Sequence, residues 1–70
     1  MVELFFLVEY KEGDKIKGRW LFRTSEEARS LIQNDLGITF KETQDTYSGT
    51  FKNPFYKSFG YTAEIITLIV

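Results

Sequence analysis

The stretch VELFFLVEYKEGDKIKGRWLF, residues 2–22, holds two alternating runs around a turn and constrains the fold more than any other part of the chain. Val2, Leu4, Phe6, Val8 and Tyr10 occupy successive even positions, and Ile16, Trp20 and Phe22 do so again after Glu12-Gly13-Asp14. A period of two belongs to a strand whose side chains alternate between the faces of a sheet. The glycine and acids between the runs supply turn chemistry, so the spacing predicts an antiparallel hairpin. Register is testable by parity, because a slip of one residue exchanges the two faces. Centring the turn on Gly13 sets Leu4 opposite Phe22, Phe6 opposite Trp20 and Tyr10 opposite Ile16. The other face then pairs Glu3 with Arg23, Glu9 with Lys17 and Phe5 with Leu21, and leaves Arg19 opposite Leu7. A one-residue slip would set Phe6 against Arg19 or Leu4 against Arg23, so apolar and charge pairing favour the even register.

The segment TSEEARSLIQNDLG, residues 24–37, predicts a short helix. Thr24 and Glu27 have the spacing of a capping box, Ala28, Leu31 and Ile32 form an apolar stripe, and Gly37 is a natural stop. A helix this short is not stable alone and is expected to pack on the apolar face of the hairpin. Beyond it, ITFKE (38–42) reads as a third strand, TQDT (43–46) as a turn and TYSGTF (46–51) as a fourth strand. One bent strand over 38–51 is the alternative. Pro54 has no amide to give a ladder, which makes 53–57 a loop or an edge. GYTAEIITLIV (60–70), rich in β-branched residues, reads as the last strand. The expected fold is a single α+β domain over residues 1–70. It has an antiparallel sheet of four to five strands with one helix on one face, in the order β-β-α-β-β or β-β-α-β-β-β.

One helix shields one face. Phe5, Leu7 and Leu21, with Ile66, Leu68 and Val70, fall on the other, and strands apolar on both sides are normally buried on both sides. Either residues 43–60 fold across that second face or a second molecule does. A 70-residue chain buries only about 60% of its unfolded surface, so either cover would add to a small core.

Composition narrows function by exclusion. There is no cysteine and no histidine, which removes disulfides, thiolate metal sites, imidazole bases and the usual activated nucleophiles. Glu26 and Glu27 suit the first turn of a helix as they stand, and no phosphate-binding glycine loop occurs. The chain is expected to be no enzyme, with no cofactor and no metal. Net charge is −1 with acids and bases interspersed, unlike a strongly basic nucleic-acid binder. No apolar run is long enough for a membrane span and no leader is evident, so a cytoplasmic protein that does not enter membranes is expected.

Residues 50–61, TFKNPFYKSFGY, carry five aromatics and two lysines and no acid. Within them and just beyond, KSFGYTAE (57–64) resembles the RNP1 signature of RNA-recognition motifs, with Lys57, Phe59, Gly60 and Tyr61 at its basic, aromatic, glycine and aromatic positions. Ser58, Thr62 and Glu64 depart from that pattern, and six residues follow where the family places a further helix and strand. The resemblance implies that Phe59 and Tyr61 share a strand face and stack on unpaired bases, with Lys57 beside a phosphate. The bland alternative is that Phe51, Phe59 and Tyr61 supply core area.

Lys15, Lys17, Arg19 and Arg23 share one side of the second strand, where Glu3 and Glu9 are expected to pair with them rather than leave a phosphate track. The reading that combines these features is a small non-catalytic protein–protein interaction module, of the accessory or inhibitory kind that phages and plasmids encode. It is expected to self-associate as a homodimer through Phe5, Leu7, Leu21, Ile66 and Leu68 and to anchor an unidentified protein partner through Phe55, Tyr56 and Tyr61. The runner-up is a weak single-stranded nucleic-acid binder using Lys52, Lys57, Phe59 and Tyr61.

Overall fold

The computed structural model describes residues 2–70, Ser48 by its backbone alone. Strands β1 (Leu4–Glu12) and β2 (Lys15–Phe22) are followed by helix α1 (Ser25–Ser30), which runs on into a π-helical turn over Leu31–Asp35. Strands β3 (Glu42–Ser48), β4 (Phe51–Ser58) and β5 (Tyr61–Ile69) complete the chain. All five strands form one antiparallel sheet in the order β2-β1-β5-β4-β3. The architecture is therefore α+β, a five-stranded sheet with one short helix. The last strand lies in the middle, and Glu3 and Val70 exchange backbone hydrogen bonds of 3.1 and 2.9 Å where β1 and β5 end.

Over residues 18–22 of β2 the hairpin keeps the predicted faces but not the predicted pairs. Phe6 faces Phe22, Leu7 faces Leu21, Val8 faces Trp20 and Glu9 faces Arg19, two residues away from the expected register. A shift of two leaves every side chain on its face, so alternation cannot detect it. Beyond Tyr10 the register slips by one, so that Ile16 pairs with Lys11 and Lys15 with Glu12, and Ile16 and Lys15 lie on the faces opposite to those expected. Gly18 has a role there, because the indole of Trp20 lies over it. A β-carbon at that position would fall 2.5 Å from the Trp20 ring. The turn itself has Gly13 at φ 62° followed by Asp14 at negative φ, the pattern of a type II′ hairpin.

Thr24 caps α1: its hydroxyl oxygen accepts from the Glu27 amide at 3.2 Å and its proton goes to the Glu27 carboxylate at 2.9 Å. Ala28 and Ile32 are buried in one cluster with Val8, Tyr10, Tyr56, Ala63 and Ile65, which all come from the sheet. Phe6, Phe22, Leu31 and Phe40 pack around this core, and α1 touches β1, β2 and β5. No helix among the described residues is long and apolar enough to cross a membrane.

The largest departures from expectation lie in residues 38–60. Residues 38–41 belong to no strand, TQDT lies within β3, and the reversal comes at Gly49 and Thr50. Four polar residues mimic a turn, but an edge strand needs no apolar alternation when both its faces meet water. Residues 53–57 form no loop: they belong to β4, which pairs with β3 along its length, and of these only Asn53 and Pro54 lack a ladder partner on the β5 side. Pro54 is tolerated because the ladder between β4 and β5 runs only from Phe55 to Ser58 and stops where the proline lacks an amide. The Thr67 amide, left without a backbone acceptor on that side, donates instead to Asn53 Oδ1 at 3.0 Å. Residues 43–60 thus widen the sheet and do not fold across its second face.

Candidate interaction surface

The core side chains of β1 and β5 are Val8, Tyr10, Ala63 and Ile65, so their immediate neighbours in sequence point to the opposite side. There the register sets Leu7 between Leu21 of β2 and Ile66 of β5, and Phe5 beside Leu68. All five residues expected to mediate self-association are therefore brought together as one cross-strand patch. Leu21 is 58% exposed and Leu68 37%, whereas Phe5, Leu7 and Ile66 are half-buried by their neighbours. The Arg23 guanidinium lies 5.3 Å from the centre of the Phe5 ring, a cation–π contact at the patch margin.

Charge takes over at the other end of the same face. Glu9 is gripped by Lys11 at 2.9 Å and by Arg19 at 3.1 Å. The hydrogen bond from Lys11, helped by that from Arg19, holds the Glu9 carboxyl below its ordinary pKa against the opposing effect of its burial. Arg19 is thus not the unpaired cation the expected register left opposite Leu7. Lys17 in turn pairs with Glu12 at 3.1 Å instead of Glu9. Glu64 stands directly opposite Glu9 on β5, and no cation lies within ion-pair distance of it among the described residues.

The residues expected to anchor a partner do not share a surface. Phe55 is half-buried on the open face, opposite Glu64. Tyr56, the next residue on the same strand, points the other way; it is 6% exposed and belongs to the core, with Phe40 edge-on at 6.0 Å. Tyr61 stacks on Tyr10 with ring centres 6.0 Å apart, on the core side of the sheet. Reading 53–57 as a loop hid this alternation. Of the three, only Phe55 extends the apolar patch.

The aromatic and basic set is dispersed too. Phe59 lies in the two-residue turn between β4 and β5 and not on a strand with Tyr61; it is 82% exposed. Lys41 Nζ sits 4.6 Å from the centre of its ring, and Lys57 lines the same shallow cavity. Lys52 is at the far end of β4, paired with Asp45 at 2.7 Å, a hydrogen bond that raises its pKa. Lys41 was not singled out in the sequence, where residues 38–42 read as a third strand. Compared with known proteins, the chain matches no family model, no curated protein and no solved structure.

Proposed function

We propose that this chain is a small non-catalytic module that acts by binding protein and that it pairs with a second copy of itself through the open face of the sheet, α1 covering the other. The observation that carries the reading is the contiguous apolar patch of Phe5, Leu7, Leu21, Ile66 and Leu68 across three strands. Five strands about 4.8 Å apart and about eight residues long present roughly 600 Å² in projection. That is of the order of the 800 Å² or so that each partner contributes to a standard interface. The charged end of the face carries both signs, Glu9 and Glu64 with Lys11 and Arg19, as a surface that meets its own copy across a twofold axis requires.

Light scattering tests this. The wild type is expected at twice the 8.2 kDa chain mass, and Leu68→Lys at the mass of one chain with its fold intact. A wild-type protein that stays at one chain mass at high concentration sinks the dimer.

The exposed Phe59 ring under Lys41, with Lys57 beside it, favours one second reading, weak binding of single-stranded nucleic acid. It predicts affinity that falls steeply with salt and vanishes in Phe59→Ala. Binding insensitive to salt removes it.

A further inference from the structure

Two adjacent residues break the ordinary rules of strand composition. Pro54 sits inside β4, a strand with neighbours on both sides, and Asn53 is a polar side chain only 4% exposed. Each is costly alone. Together they release the first half of β4 from β5 while Asn53 satisfies the amide left behind. The result is a cleft of about 190 Å³ between α1 and this half of β4. Departures of this kind from local consistency are expected where a fold keeps a site open.

The chemistry of the cleft is two-sided. Its apolar part comes from Phe6, Phe51, Pro54 and Ile65, of which the last two are buried. Its charged part comes from Arg29 and Lys52, both exposed, and no acid lines it. Lys52 is held by Asp45, but Arg29 pairs with no carboxylate among the described residues; its one hydrogen bond there is a long one, 3.5 Å, to the Tyr56 hydroxyl. A planar guanidinium lining the same cleft as apolar side chains fits a carboxylate, which it can meet with two parallel hydrogen bonds. The volume suits a single ring or a short branched chain, since a cavity of about 150 Å³ accommodates benzene.

We propose that this cleft binds a small organic acid, a carboxylate on a compact apolar body, with Arg29 taking the carboxylate and Phe6, Phe51 and Ile65 the body. The site lies on the core side of the sheet and is independent of the open face.

Amide-correlation NMR of the intact chain, titrated at constant ionic strength with benzoate and separately with benzyl alcohol, tests it. Benzoate is expected to shift the amides of Phe6, Ser25, Arg29 and Thr67 saturably, and benzyl alcohol to bind about tenfold more weakly or worse. Arg29→Gln, a change at an exposed side chain that leaves the spectrum dispersed, is expected to weaken benzoate by a similar factor. Arg29→Lys, which keeps the charge but loses the fork, is expected to fall between. Equal binding of acid and alcohol, no loss in Arg29→Gln, or shifts that never saturate or lie elsewhere would overturn the proposal.

Discussion

The two faces of this sheet are built from the same strands and meet different fates. On one, Val8, Ala63 and Ile65 are almost wholly buried and share a cluster with Ala28 and Ile32. On the other, Leu7, Leu21 and Ile66 line up just as regularly, yet Leu21 keeps more than half of its surface exposed. Hydrophobic pattern alone does not separate them. What separates them is supply: the chain has one short helix, and its remaining candidate for a cover, residues 43–60, widens the sheet. With one short helix among the described residues for two apolar faces, the second is the one proposed to meet a second copy.

That contrast is sharpest in core replacements. Ile65→Ala removes a side chain that is 1% exposed and is expected to cost about 2–5 kcal/mol, read as a lower denaturant midpoint. Loss in that range at Leu21, on the open face of an isolated chain, would break the distinction. Next in size, Asn53→Ala leaves the half-buried Thr67 amide without its acceptor. It is expected to cost about 1–3 kcal/mol and to raise hydrogen exchange at Thr67. Thr24→Ala removes the cap of α1 and is expected to cost about 1 kcal/mol by the same denaturation measurement.

A smaller effect comes from Glu9. Its folded pKa is lowered, so it stabilises the fold at pH values above the ordinary carboxylate pKa, and the contribution is lost as pH falls through the lowered value. Glu9→Gln is therefore expected to flatten the acid side of the stability–pH curve while leaving the neutral side nearly in place. An unchanged acid limb would show that Lys11 and Arg19 do not grip Glu9 in solution. The smallest expected change in chain stability, within about 0.5 kcal/mol, belongs to Leu68→Lys on the open face, even though it is expected to halve the mass of the assembly.

Much of the fold is legible in residues 2–37, because a sheet face and a capped helix each repeat a local rule. Even and odd positions of β1, and of β2 over residues 18–22, fall where alternation puts them, Thr24 and Glu27 meet, and Gly37 takes positive φ. Alternation is blind to a shift of two and to a bulge, so the charge pairs of β2 were misassigned and Lys15 and Ile16 were set on the wrong faces. Residues 38–60 are opaque for a different reason: β3 owes its strand state to β4 and not to its own polar residues, and Asn53-Pro54 looks like a break while serving as a splice. That Phe5, Leu7, Leu21, Ile66 and Leu68 share one face follows from parity and was legible with it. The separation of Phe55 from Tyr56 was not, because it needs 53–57 to be a strand, where neighbours face opposite ways.

The central claim, that the open face meets a second copy, is most directly tested by isotope-filtered NOE spectra on a mixture of labelled and unlabelled chains. The account predicts intermolecular contacts from the methyls of Leu7, Leu21, Ile66 and Leu68 and from the Phe5 ring, with none from Val8 or Ile65. Intermolecular contacts confined to other surfaces, or none in a sample at the mass of one chain, would contradict it.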